Sequence, residues 1–498
     1  MQRKIFLLLT ALYSGFLCAQ ESQYEQMRGL LNENSLPLVN LTVDVSSVNR
    51  TDYVQGEIEI TDFLRRTDPE SETVRYPCKL RYRGASAASY SKKSFAVKLY
   101  DEAGDDLDAN IFGIREENSW ILDAMAIDRT RMRNRVCFDV WNDMSQTPYE
   151  TDFDNRNGTK GVFVEVFLNG EYHGLYCMTD KIDRKLLGLK KAKVANDGTV
   201  AVKGLLYKGV SWGSGHNLLS YIEAATDKDT WNAWELQYPD DYPSIDTWQP
   251  LMDLIDFCSG KTSDDDFLQS YEEWFYPDNL ADYVAFTLAL HVGDNVYKNT
   301  FLSTVDITNG HRYMLSPWDM DMSLGGNWDG KYNEGVASID QYNGAAPFNR
   351  LIGRNLDGFS SRLTDTWTAH YATLFTPESI GHRLDTYAAM FMDSGAWERE
   401  RAKWNDNPVP LKEQLQEETD YVKNWYVKNY ESLCEQFGTP PVTTGITNLS
   451  QTYTQKEIYT LDGRKMGVKS PDRLPKGVYI VNGKKIIINT GSIRVDHL

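Results

Sequence analysis

The dipeptide Asn309-Gly310 stands between two short runs, Phe301 to Val305 and His311 to Leu315. Asn and Gly both tolerate positive φ, which a tight hairpin turn requires, so this arrangement predicts an antiparallel strand pair. A hairpin returns the chain on itself. The residues outside it, Asp294 and Asn299 on one side and Asp319 and Asp321 in Pro-Trp-Asp-Met-Asp on the other, are therefore expected close together. An apolar helical run, Leu280 to His291, feeds the stretch. Hard oxygen ligands gathered in this way suit a divalent cation, and a further carboxylate can accept a proton from an attacking hydroxyl. Asp and Asn are also the ordinary residues of turns, so for the stretch alone capped hairpin ends are the favoured reading.

The chain upstream reads as strands. Leu36 to Val45 and Gly56 to Ile60 alternate, and Cys78 to Gly84 and Lys93 to Leu99 form two more strands joined by a small, Ser-rich turn. Phe95, Val97 and Leu99 share one face of the last strand; Lys92, Ser94, Ala96 and Lys98 share the other. Asp128 to Met144 is predicted as a helix, and Asp152 to Gly158 as a turn. A second hairpin is expected about Asn169-Gly170, from Gly161 to Met178, with its exit Met178 to Asp183 leading into a helix. Residues 211–275 read as helices and loops rich in Trp, and residues 345–437 as helices. Strands early and helices late predict an α+β fold.

The net charge is -19 and the pI about 4.9, which argues against a nucleic-acid partner. Residues 1–19 read as a secretory signal peptide, with Arg3 and Lys4 before the apolar run Ile5 to Leu17 and cleavage after Ala19. Leu17 is bulky where a lipoprotein site before Cys18 would want a small residue. No later stretch is apolar and long enough to span a membrane, so a secreted protein is expected. The remaining cysteines, Cys78, Cys137, Cys177, Cys258 and Cys434, form no CxxC pair, which favours plain burial over zinc. Residues 20–35 read as a linker and 36–437 as the main domain. Residues 438–445, Gly-Thr-Pro-Pro-Val-Thr-Thr-Gly, read as a second linker, and 446–498 as a small β-rich domain.

Asp294 with Asn299 five residues on, then a strand pair and Asp319, resembles the catalytic and metal-binding order of protein kinases. His291 is one residue too early for His-Arg-Asp, and Asp-Phe-Gly is absent. More specifically, an ordered set resembles the CotH kinase family of secreted atypical protein kinases. The set is Arg83-Gly84 with Lys92 and Lys98, Asp128-Arg-Thr-Arg-Met-Arg-Asn, Val164 to Tyr176, Lys208, Asp294 with Asn299, and Pro317-Trp-Asp-Met-Asp. The resemblance implies a two-lobed kinase-like fold, with a β-rich N-lobe and a helical C-lobe. It also implies phosphorylation of Ser or Thr in exported proteins from ATP, using Mg²⁺ or Mn²⁺. By position it implies Asp294 as catalytic base and Asn299, Asp319 and Asp321 as metal ligands. Arg83, Lys92 and Lys98 would lie at the phosphates, with Lys208 competing for the role of Lys98, and Met178 to Asp183 at the adenine. Ala85, Ala87 and Ala88 depart from a more hydroxyl-rich turn. Residues 446–498 resemble a type IX secretion sorting domain, which implies a secretion machinery as partner. The alternative is a non-catalytic, kinase-shaped surface, adhesion or glycan-binding protein.

Overall fold

The alternating runs between Leu38 and Thr179 close on themselves. In the computed structural model, which describes residues 21–442 (apart from 85, 214, 222–226, 241–244, 297 and 406) and 458–460, 477–481, 484–489 and 492–495, they form a seven-stranded barrel. Its strands are β1 (Leu38–Val43), β2 (Val54–Thr61), β3 (Thr73–Arg83), β4 (Ser94–Leu99), β5 (Ser119–Asp123), β6 (Gly161–Leu168) and β7 (Glu171–Thr179). The order around the barrel is β1-β2-β3-β4-β5-β7-β6, closed by a parallel pairing of β1 with β6. Closure removes exposed sheet edges. Alternate residues fill the interior, among them Leu41, Ile60, Leu80, Val97, Trp120, Val166 and Met178. On β5, β6 and β7 the outward residues Ile121, Phe163, Leu175 and Cys177 are buried too, against the helices.

The segment expected as a linker, 20–35, instead holds α1 (Gln23–Arg28), capped by Ser22. Tyr24 buries its ring against Leu38 and Phe167 and donates its hydroxyl to Glu59. One aromatic anchors a helix whose polar composition concealed it.

Beyond the barrel, α2 (Arg133–Met144) begins at Arg133 rather than Asp128. The Asp128 carboxylate accepts the N–H groups of Thr130, Met132 and Arg133, so it caps the helix from outside. The exit of β7 does not lead into a helix: Asp180 is buried between Arg115 and Arg156, and Asp183 also pairs with Arg115. A second sheet contains β8 (Leu205–Gly209), β9 (Thr230–Trp231), β10 (Trp234–Tyr238), β11 (Thr300–Thr304) and β12 (Tyr313–Pro317), in the order β9-β10-β8-β11-β12. Residues 211–275 thus supply two strands as well as α3 (Gln249–Cys258) and α4 (Asp264–Trp274). Trp231, Trp234 and Trp248 are buried there and offer no stacking platform; Trp212 is exposed.

The helical part comprises α5 (Pro277–Leu290), α6 (Phe359–His370), α7 (Pro377–Asp393), α8 (Ala396–Trp404) and α9 (Leu415–Gln436). The fold is therefore α+β as expected, but the β-rich half is a closed barrel and the helical half carries its own sheet. Among the described residues no helix is long and apolar enough to cross a membrane. Cys78, Cys137, Cys177, Cys258 and Cys434 are buried free thiols. Residues 439–442 continue to pack: Trp367 donates to Thr439 and the Val442 N–H donates to Tyr430. The chain therefore leaves the helical body later than the linker expected from 438. Further on, β13 (Ile458–Thr460), β14 (Gly477–Val481), β15 (Lys484–Asn489) and β16 (Ser492–Val495) form an antiparallel sheet in sequential order. The proposed signal peptide lies outside the described residues.

Barrel and helices are locked by one buried carboxylate. Glu400 on α8 accepts from Lys92 at 2.6 Å, from Arg131 at 2.8 Å and from the Leu175 N–H at 2.8 Å, and Lys92 also donates to the Leu175 carbonyl. Burial opposes ionisation of Glu400, but Lys92 and Arg131 hold its carboxyl below the usual value. Burial pulls the Lys92 ammonium down to about 7 against the attraction of Glu400, so Lys92 is the partner that holds its proton loosely. Gly174 (φ 139°) makes the approach possible, because a Cβ there would lie 2.8 Å from the Glu400 carboxylate. Glu400→Gln removes the anion that both enclosed cations pair with. Such one-sided deletions cost about 3–5 kcal/mol, and urea unfolding of the variant is expected to show a loss of that size with an unchanged m-value.

Candidate functional site

The hairpin predicted about Asn309-Gly310 is β11 and β12, paired with Leu302 opposite Leu315 and Thr300 opposite Pro317. Its open end receives three turns. α5 is largely apolar from Leu280 onward because that part is enclosed, and it ends at His291 in the left-handed region, whose ring stacks on Trp425. A single 3-10 turn, Gly293–Val296, then carries Asp294. Its carboxylate accepts from Lys298 Nζ at 3.1 Å and from Asn299 Nδ2 at 3.3 Å. Asn299 (φ 53°) and, on the opposite strand exit, Asp319 (φ 56°) are also left-handed. Among non-Gly residues, Asn, Asp and His best tolerate that conformation. The backbone that turns into and out of the hairpin therefore selects the same residue types that chemistry would use.

Asp294 and Asp319 are tied together through their neighbours. Asn295 is 1% exposed. Its Oδ1 accepts the Trp318 N–H at 3.1 Å and its Nδ2 donates to the Trp318 carbonyl at 3.0 Å. The Trp318 ring is in turn the floor for two cations. Arg83, at the end of β3, lies 5.4 Å from its centroid, and Lys208, on β8, lies 5.6 Å from it. Burial pulls the Lys208 ammonium down to about 8, Arg83 pushes the same way, and Asp319 and Glu235 oppose them.

The acidic side is crowded. Asp319 is solvent-exposed, yet protein surrounds it on its other sides. That surrounding raises its carboxyl above the ordinary value; Lys208 and Arg83 act against the rise, and Asp123 and Asp294 add to it. Asp321 is lifted further, by burial first and then by Asp319, Asp123, Asp128 and Asp294. Asp123, at the end of β5, accepts from Asn134 Nδ2 at 2.9 Å, while Asn134 Oδ1 accepts the Met320 N–H at 3.1 Å. Barrel, α2 and hairpin exit thus converge on the two residues flanking Met320.

Of the residues singled out in the sequence, Asp294 and Asn299 touch, and Asp319 is electrostatically coupled to Asp294, Asp321, Arg83 and Lys208. Lys92 is instead enclosed in the Glu400 lock, away from solvent. Lys98 lies over the Tyr53 ring at 5.5 Å, because the face opposite the barrel's apolar filling points outward. Of the two lysines in competition, Lys208 is the one beside Asp319. Met178 fills the barrel, and Asp180 and Asp183 are engaged by Arg115. In the Asp128-Arg-Thr-Arg-Met-Arg-Asn segment, Arg131, Arg133 and Arg135 are buried structural groups, and Asn134 reaches the site. Sequence reading quoted Asn134 only as the end of that segment, without a role, and missed Asp123, Asn295 and Lys298. Only Lys298 carried a signal, its spacing of four from Asp294.

Among the described residues, no three of His, Cys, Asp and Glu converge as a ready-made metal cage. Mg²⁺ is ordinarily held by one or two carboxylates together with waters and substrate phosphates. Burial first, and then repulsion from Asp319, Asp123, Asp128 and Asp294, lifts Asp321; the repulsive part is negative charge that a cation would relieve, so the chemistry of these carboxylates fits such an ion. With Arg83 and Lys208 opposite them, the arrangement can accept an anion and a cation side by side.

No match is found among curated protein sequences. A family profile described as CotH kinase protein matches residues 80–433, a span that runs from β3 to α9 and includes the barrel's second half, the second sheet and the whole acidic cluster. The chain belongs to the CotH kinase protein family.

Proposed function

We propose that this protein is a secreted, metal-dependent kinase that transfers the γ-phosphate of ATP to Ser or Thr of exported proteins. The observation that carries the reading is the pair of cations, Arg83 and Lys208, on the ring of Trp318, with the next residue, Asp319, coupled to both. Phosphoryl transfer is catalysed mainly by positioning and by neutralising charge on the phosphates, and these groups suit that task. In this reading Arg83 and Lys208 take phosphate oxygens. Asp319 and Asn299 would hold the cation, with Asp321 beside them. A divalent ion bound there would neutralise phosphate charge. Asp294 accepts a hydrogen bond from the substrate hydroxyl and takes its proton. Lys298, 3.1 Å from that carboxylate, keeps it oriented and adds positive charge where the transferred group passes. The two-lobed reading assigns the barrel to one lobe and the second sheet with α3 to α9 to the other, the site lying where Arg83 meets Lys208. The leader and the β13–β16 sheet would serve export, the latter as the segment recognised by a type IX secretion machinery.

ATP at a hundredfold excess over its Kd stabilises a protein by about 2.7 kcal/mol, which a thermal-shift titration with Mg²⁺ or Mn²⁺ reads. Asp319→Asn is expected to abolish that shift with the fold intact. Asp294→Asn is expected to keep the shift and to lower phosphate transfer to casein or to itself by ~10²-fold or more. Equal behaviour of the two variants would remove the division of roles. Binding without transfer in the wild type would favour the non-catalytic alternative.

Lys208 gives a pH test. Its ammonium is charged below about 8 and neutral above, so the free protein loses a phosphate partner as pH rises. ATP affinity is expected to weaken about tenfold between about pH 7 and about pH 9, the scale of one charge-assisted hydrogen bond. Lys208→Arg should flatten that dependence, as titration calorimetry across the range would show.

A further inference from the structure

Two asparagines make the same pair of bonds, one to β12 and one to the residue just after it. β12 is the edge of its sheet, and apart from an isolated bridge between Tyr313 and Phe275 its outer N–H and C=O groups have no neighbouring strand among the described residues. Asn279, on α5, accepts the Leu315 N–H at 2.8 Å and donates to the Leu315 carbonyl at 3.1 Å. Asn295, just after α5, makes the same two bonds to Trp318. Both side chains are at most 4% exposed. Each amide imitates the backbone of a missing strand.

Their consequences differ. Asn279 holds the middle of β12, which β11 already fixes from the other side. Trp318 lies one residue past the last pair of that register, Thr300 with Pro317, so the strand pairing does not reach it. Asn295 is itself held from behind: its carbonyl accepts from Tyr283 at 2.7 Å and from Thr300 at 3.1 Å. The bonds therefore run from α5 through Asn295 to Trp318, and Asp294 and Asp319 are the residues adjacent to the two ends. We infer that Asn295 is a positioning residue, which sets the separation of Asp294 from Asp319 and of both from the cations on the Trp318 ring. The inference deepens the kinase reading and rests on it, because the spacing matters only if the two carboxylates act on one phosphate.

The test compares Asn295→Ala with Asn279→Ala in the full chain. Both lose two backbone bonds from a buried amide, so both are expected to melt earlier by similar amounts. In steady-state transfer to casein with Mn²⁺–ATP, Asn295→Ala should lower kcat by ~10²-fold, the scale of a misplacement near 1 Å, with KM for ATP within about threefold. Asn279→Ala should keep kcat per folded molecule within about twofold. Amide exchange read by mass spectrometry should speed up at 317–321 in Asn295→Ala alone. Equal kcat losses in the two variants, or a loss confined to KM, would overturn the assignment. A wild type that transfers no phosphate sinks the kinase reading instead. The clamp is then judged by exchange, and unchanged protection of 317–321 would overturn it too.

Discussion

Glu400 is the carboxylate on which the assembly of this fold depends. It is fully enclosed, and a lone buried anion would cost several kcal/mol. It is stable only because Lys92, Arg131 and the Leu175 N–H meet it from three separate parts of the chain. Lys92 precedes β4, Arg131 precedes α2 and Leu175 is in β7, so the barrel and α8 cannot separate without exposing or stranding charge. Arg399, the preceding residue on the same helix, repeats the tie by a bidentate pair with Glu165 on β6. The barrel end from which Arg83 and Asp123 emerge is thereby fixed against the helices.

On that platform the site is assembled by neutral amides. Asn134 connects the end of the barrel to the backbone between Asp319 and Asp321. Asn295 connects α5 to the residue before Asp319. Amides serve this purpose where charged residues would not. They donate and accept at once without adding to a field already crowded with Asp123, Asp294, Asp319 and Asp321. Desolvation by the surrounding protein raises the carboxyls of Asp319 and Asp321, and the crowding adds to the rise. Arg83 and Lys208 oppose the rise at Asp319 and keep the site from being uniformly acidic.

The second consequence of the Glu400 lock concerns which lysine is available. Lys92, Lys98 and Lys208 all read as plausible phosphate partners because each sits in or next to a strand. Their environments separate them. Lys92 is consumed by the lock, and Lys98 is on the outer wall of the barrel over Tyr53. Lys208 is on β8, the central strand of the second sheet, against Trp318 and within the field of Asp319.

What the sequence determined by itself was local. Asn-Gly turns marked both hairpins, because positive φ is a property of two residues. Alternation marked β1 to β4, and apolar continuity marked α5. The proximity of Asp294, Asn299 and Asp319 followed from the hairpin between them, since a turn fixes its own ends. The capped start of α2 at Arg133 and the docking of α1 through Tyr24 were not legible, because a single side chain's partners decided each of them. The tertiary structure alone decided closure of the barrel, which needs the parallel pairing of β1 with β6. It alone brought Glu400 to Lys92, 308 residues away, and gave Asn134, Asn295 and Asp123 their roles. Residues so far apart carry no shared period or spacing. Their partnership is created by burial, where an unpaired charge or amide is too costly to leave unmet.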